Sequence, residues 1–282
     1  MNPIAIALTV LAYQQAAVLD VPKDLLKTPP AVNQVLAKVN GIEIKGSDAE
    51  ALLWEWRKAE VVADLINYTI VKDAAKKQQI EATDQEVRKE VEQLMAAIKQ
   101  QLPAGQTIEQ AMEQEGTAPS RLFVRVKTEV LLRKLILKDF KPEEYAKIST
   151  IILKSASSSL ADVKVALERA ERVYTRLASG EDWGTVLLEH TDDPRARASN
   201  GAVGWRPINL FPDSVRTEVG KLKKGGVTKP AQTQNGIQIF KLDALGRQAT
   251  AEELLELQSS YVAGQRNTFM AKLRSEAKIE KF

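Results

Sequence analysis

The chain contains no cysteine. That excludes disulfides, cysteine-based metal sites, a thiol nucleophile and a lipidated N-terminal cysteine. It contains a single histidine, His190, which excludes a multi-histidine metal centre, and no cofactor is expected. A phosphate loop of the GxxxxGK type is missing, so ATP is not an expected partner. Charge of one sign is also missing: 40 basic residues face 37 acidic ones, for a net charge of +3. A nucleic-acid footprint needs basic residues clustered on one face. The densest basic stretch, Arg121 to Lys154, is instead interleaved with Leu, Ile and Val at helical spacing and reads as the solvated face of a helix. No nucleic-acid partner is therefore expected. The apolar run Ile4 to Ala12 falls short of the roughly 18 residues that span a bilayer, so no stable membrane span is expected. It reads better as the apolar core of a signal segment, with a buried terminal strand or helix as the alternative. No Lys or Arg precedes it, and no A-x-A site follows.

What is present points to two domains. A length of 282 residues suits about two domains of ordinary size, and 44% hydrophobic residues suffice for sizeable cores. Few aromatics (5%) and many Ala, Glu, Lys, Gln and Leu favour helix. Residues 20–33, with Pro22, Pro29 and Pro30, read as a linker. Val35 to Ile44 alternates around Asn40-Gly41 and predicts a hairpin. Four capping boxes follow: Ser47/Glu50, Thr83/Glu86, Thr107/Gln110 and Thr250/Glu253. They predict helices over 48–58, 84–101, 108–115 and 251–276. Lys58 to Gln79 carries a further apolar stripe, and Pro119 opens a helix to about Lys138.

The character changes at Lys141-Pro142. Ile148 to Leu153 is a β-branched run, followed by the polar loop Ser155 to Ser159. Helices are predicted over Leu160 to Ser179, closed by Gly180, over Trp183 to His190, and over Pro212 to Lys221. Asn235-Gly236 then turns into the alternating strand Ile237 to Leu242. The order β-α-α-(loop)-α-β makes a compact α+β unit of about 100 residues. The helix from Ala251 falls after this unit and is read as returning to the first domain.

Several segments resemble the parvulin type of peptidyl-prolyl isomerase. They are Ile148 to Lys154, Ser179-Gly180-Glu181-Asp182-Trp183, Asn200-Gly201-Ala202-Val203-Gly204-Trp205, Lys223 to Val227 and Asn235 to Leu242. The likeness covers 146–247. Val39-Asn40-Gly41 and Ala277-Lys278-Ile279-Glu280 resemble the helical chaperone domain of the SurA/PrsA group of envelope foldases, over 35–140 plus 250–282. The resemblance implies an α+β fold with a parvulin-like domain (142–247) inserted into a mostly helical SurA-N-like chaperone domain (34–141 plus 248–282), after a signal or linker (1–33). It also implies unfolded extracytoplasmic polypeptides as partners and a periplasmic or cell-envelope location.

The resemblance places the site residue by residue. An X–Pro amide rotates over a barrier of about 18–20 kcal/mol. A slot that grips the ring and strips water from the carbonyl lowers it without a nucleophile. Val203, Phe211 and Val215 correspond to that apolar slot, with Trp205 as a further candidate. Asp193 falls at a Cys/Asp position of the floor. Thr150 and Gln238 fall where the family carries two histidines, so weakened activity is expected. The alternatives stay open: Asp193 before Pro194 also reads as a turn or helix-end residue, the apolar residues also read as core, and His190 reads as a helix-end histidine outside the site. The functions in play are a parvulin-type isomerase, an ATP-independent holdase with a silent parvulin domain, and a structural envelope protein.

Overall fold

The computed structural model describes residues 20–281. The signal reading of Ile4 to Ala12 lies outside them. Contacts divide the chain into two units, Met1–Lys138 with Gln265–Phe282, and Asp139–Gly264.

The first unit opens with a hairpin, β1 (Val35–Val39) and β2 (Ile42–Lys45). Asn40 (φ 51) and Gly41 (φ 85) are both left-handed, which matches the right-handed twist of the flanking strands. Helix α1 then runs unbroken over Gly46–Lys77. The sequence reading had two helices meeting near residue 58. No glycine or proline lies between Ser47 and Lys77, so nothing interrupts the hydrogen-bond ladder. The Ser47/Glu50 box is not the start signal; Asp48 accepts from the Lys45 N–H at 2.8 Å instead. The Thr83/Glu86 and Thr107/Gln110 boxes both close and open α2 (Asp84–Gln101) and α3 (Ile108–Gln114). Helix α4 spans Pro119–Leu137. Tyr68, Val71 and Ala75 of α1, Val87 of α2 and Phe123, Leu131, Leu132 and Leu135 of α4 form the buried interior.

The second unit is α+β. Its elements are β3 (Tyr145–Leu153), α5 (Leu160–Ala178), α6 (Trp183–His190), α7 (Pro194–Ala198), β4 (Ala202–Pro207), α8 (Asp213–Val219), β5 (Ala231–Thr233) and β6 (Gly236–Leu245). The sheet order is β4-β3-β6-β5, and every neighbouring pair is antiparallel. Ile148 sits opposite Leu242 and Leu153 opposite Ile237. Both faces are covered, so both read as apolar. Ile151, Leu153, Ile237 and Ile239 pack under α5 and α6. Ile148, Phe240 and Leu242 pack with Phe211, Val215 and Val219 on the other face.

The last helix, α9 (Ala251–Glu276), opens on the Thr250/Glu253 box and is shared between the units. Leu257 is buried with Trp205 and Ala244 in the second unit, and the Tyr261 ring meets Phe140 at a tilt and Tyr145 edge-on. In the first unit, Arg266 bonds Glu129 at 3.0 Å and Arg274 bonds Asn67 at 2.8 Å. The sequence reading gave the whole helix to the helical domain. The division falls inside it because Leu257 and Tyr261 serve one core and the polar turns beyond them meet other partners. No described helix is long and apolar enough to cross a membrane.

Candidate functional site

Of the sequence-predicted residues, Thr150, Gln238, Val203, Phe211 and Val215 gather on one face of the sheet, Asp193 lies at its rim, and Trp205 stands apart. Antiparallel register places Thr150 opposite Phe240 and Ile152 opposite Gln238, so these four share a face. Above the Phe240 end of this face lie Phe211 and Val215. The rings of Phe211 and Phe240 meet edge to face at 5.7 Å, and Val203 lies half-buried against the same cluster. Val215 is fully packed.

Below that cluster the floor is polar and self-satisfied. Thr150 and Gln238 are buried. The Gln238 amide donates to the Thr150 hydroxyl at 3.2 Å, which reaches the Ile239 carbonyl at 3.3 Å. The Thr233 hydroxyl lies 2.7 Å from the Gln238 amide oxygen and 3.1 Å from the Gly236 carbonyl. Burial without partners would be costly; this chain of contacts removes the cost. It also replaces titratable imidazoles with fixed dipoles.

Trp205 is the exception, and the reason is local. Ile148 pairs with Gly204 and Ser149 with Ala202, which leaves Val203 as the extra residue of a bulge. The alternation is reset there, so Val203 and Trp205 face opposite sides. Trp205 is buried beside Ala244 and Leu257, with no hydrogen-bond partner for its indole N–H among the described residues. The expectation that it joins the slot is corrected accordingly.

Asp193 lies at the rim as the N-cap of α7, its carboxylate accepting from the Arg195 N–H at 3.0 Å. The turn reading of Asp-Asp-Pro is what the geometry shows. Its neighbour Asp192, not singled out in the sequence, anchors the loop. It accepts from the Lys154 N–H at 2.9 Å and pairs with Arg169 of α5 at 2.9 Å. An open groove of about 780 Å³ runs past Ile152, Lys154, Asp193, Arg195, Thr233 and Ile237. Thr233 and Asp192 were missed because a lone Thr before a turn and a second Asp beside Asp193 carry no distinctive pattern. His190 stands outside, on the α5 side of the sheet, its Nε2 accepting from Arg176 at 2.6 Å. Burial and the Arg176 and Arg169 charges hold its pKa below the ordinary histidine value.

One glycine fixes the pocket loop. Gly201 has φ +79, and a Cβ there would lie 2.6 Å from Leu187 Cδ1 and 2.7 Å from the Thr150 carbonyl oxygen. Its own carbonyl accepts from the Thr150 N–H at 2.8 Å.

Residues 151–244 match the family described as the PPIC-type PPIase (rotamase) domain. This chain carries a parvulin-type isomerase domain. Relatives include the chaperone SurA of Pseudomonas putida, 33% identical over 119 residues, which are 39% of this chain and 27% of that protein. The foldase protein PrsA of a Geobacillus species is 25% identical over 232 residues, 78% of each chain. The matched region thus spans about a quarter of the SurA relative's length. A crystal structure of PrsA from Bacillus cereus covers 89% of this chain and 95% of that one, at 18% identity and a TM-score of 0.41. The family match assigns residues 151–244 to the PPIC-type domain, and the chain is similar to the SurA and PrsA proteins named; the α+β, helical-plus-parvulin architecture is the one read from the sequence.

Proposed function

We propose that this chain is a protein-folding factor that binds unfolded, proline-containing polypeptides outside the cytoplasm and isomerises X–Pro bonds weakly. One observation carries this reading: the apolar cluster of Phe211, Val215, Phe240 and Val203 stands over the buried Thr150–Gln238 pair on one sheet face. An apolar slot of that kind takes the pyrrolidine ring. It desolvates the preceding carbonyl and favours the twisted amide, whose charge separation is lower. The floor supplies hydrogen-bonding dipoles with nothing that titrates near neutral pH. Val203 and Phe211 border the ring with Val215 packed behind them, Thr150 and Gln238 shape the floor, and Asp193 fixes the rim through its cap.

A second reading, an ATP-independent holdase with a silent parvulin domain, is favoured by a specific feature. The polar groups of Thr150, Gln238, Thr233 and Asp193 all have partners within the chain. Proline-limited refolding of a model protein, with and without the chain, separates the two. Acceleration that disappears in Val203→Trp supports the isomerase, since the indole would fill the slot. Suppressed aggregation with no acceleration supports the holdase, and neither effect overturns both.

A further inference from the structure

Residues 20–25, read from composition as linker, lie on the helical unit as a bound peptide would. At one end the Asp20 carboxylate pairs with Lys72 of α1, and the Asp20 carbonyl accepts from Lys127 of α4 at 3.4 Å. Lys127 is itself buried and pairs with Asp84 at 3.2 Å. At the other end, Asp24 takes bonds of 2.8 and 3.0 Å from Arg88 of α2. Between them Pro22 starts a single turn over Lys23–Leu25, with the Leu25 N–H on the Pro22 carbonyl at 3.0 Å. Leu25 then forms one wall of a cavity of about 200 Å³ whose other walls include Met95, Met112, Leu122 and Phe123.

The fit is incomplete. Asp20 borders a second cavity, of about 540 Å³, over Tyr68, Ala75 and Leu131. The Tyr68 hydroxyl is shut off from solvent and faces the Asp20 carboxylate. Burial, and then the Asp20 and Asp84 carboxylates, push its pKa up, so it remains a neutral donor. The acceptor beside this buried donor is thus a carboxylate of the resident segment itself, and a peptide that displaces the segment has to bring an acidic group to the same place. The anchor at Asp24 is also light: Asp24 is 64% and Arg88 42% exposed at the side chain, and exposed ion pairs contribute little net stability.

We propose that this groove is a peptide-binding site of the helical unit. It takes segments in which two acidic residues flank a proline and precede a leucine, and residues 20–25 occupy it as a displaceable strap. The proposal rests on the reading that the chain binds unfolded polypeptides and names what the helical unit selects among them. A strap tethered next to its site acts at high effective concentration, so even weak contacts would hold clients off until a better-fitting segment arrives.

The test uses the full chain and two labelled heptapeptides followed by fluorescence anisotropy. One has the chain's own sequence DVPKDLL; the other is its charge-reversed counterpart KVPEKLL. A strap seated about nine-tenths of the time lowers apparent affinity about tenfold, so Asp20→Ala with Asp24→Ala should bind DVPKDLL about tenfold more tightly than the wild type. Adding Arg88→Glu should abolish that gain and favour KVPEKLL. Equal binding of the two peptides, or no gain in the strap variant, overturns the proposal. A strap variant that fails to fold is bypassed in the wild type by hydrogen exchange. Saturating DVPKDLL should expose the Leu25 and Leu26 amides, and unchanged protection overturns displacement. A doubled mass for the peptide-free wild type, lost in the strap variant, would assign the strap to a second copy and overturn the client assignment. Isomerisation of a tetrapeptide, measured in the same samples, reports on the second unit alone, so its failure and failure of this site are distinguishable.

Discussion

Two glycines in the pocket loop share a backbone conformation and differ in surroundings, which makes a controlled perturbation. Gly201 has φ +79 and Gly204 φ +80. A Cβ at Gly204 meets nothing within 4 Å, whereas one at Gly201 meets Leu187 Cδ1 at 2.6 Å and the Thr150 oxygen at 2.7 Å. Gly204→Ala therefore carries only the left-handed penalty, about 1–2 kcal/mol. Gly201→Ala carries the same penalty plus overpacking of about 1–3 kcal/mol, for a total of about 2–5 kcal/mol. Leu187 can swing aside. The Thr150 carbonyl cannot, because it belongs to β3, and moving Gly201 away stretches the 2.8 Å bond to the Thr150 N–H. Urea unfolding would be followed by tryptophan fluorescence in a Trp54→Phe/Trp56→Phe background, so that Trp183 and Trp205 report on the second unit alone. Gly201→Ala should unfold at distinctly lower urea than Gly204→Ala, and any isomerase activity should fall with it, since the shift displaces the Thr150 floor. Equal midpoints for the two variants would refute the assignment of Gly201 as the contact that locks the loop to β3.

Three further outcomes are expected. Isomerisation should be flat between about pH 5 and 8, where a histidine floor would titrate, and Thr150→His with Gln238→His should raise the rate and introduce a pH dependence; a steep wild-type profile near pH 6.5 would contradict the site. His190 has a folded-state pKa below its unfolded value. The unfolded chain therefore binds more protons, and its contribution to stability is present above about pH 6.5 and lost as pH falls through that range. His190→Gln should flatten this part of the stability profile, measured by urea midpoints from pH 5 to 8. Leu257→Ala removes a side chain that is 1% exposed and should cost the second unit about 2–5 kcal/mol, read by urea unfolding, while leaving the slot residues and peptide affinity unchanged.

By itself the sequence determined the elements and their class. Capping boxes at Thr83, Thr107 and Thr250, Pro119 at a helix start, and the turns at Asn40-Gly41 and Asn235-Gly236 are local hydrogen-bond and dihedral devices, so they are legible one segment at a time. Ile148–Leu153 and Ile237–Leu242 were legible as strands from β-branching and alternation, and their place in one sheet from the resemblance. The Thr150–Gln238 contact was legible only through resemblance, since 88 residues separate the two. Tertiary structure alone decided the rest. The resemblance put Val203 and Trp205 in one slot, and a single extra residue between the partners of Ile148 and Ser149 turned them to opposite faces. Helix α1 ran through the expected break at residue 58 because no residue there stops a helix. Helix α9 divided its allegiance because Leu257 found an apolar partner in Trp205 and Arg266 an acidic one in Glu129. Asp20 and Asp24 looked like linker residues until Lys72 and Arg88, distant in sequence, supplied the opposite charges. Local chemistry is written residue by residue, but which buried surface or counter-charge a side chain meets depends on chain segments that only the folded structure brings together.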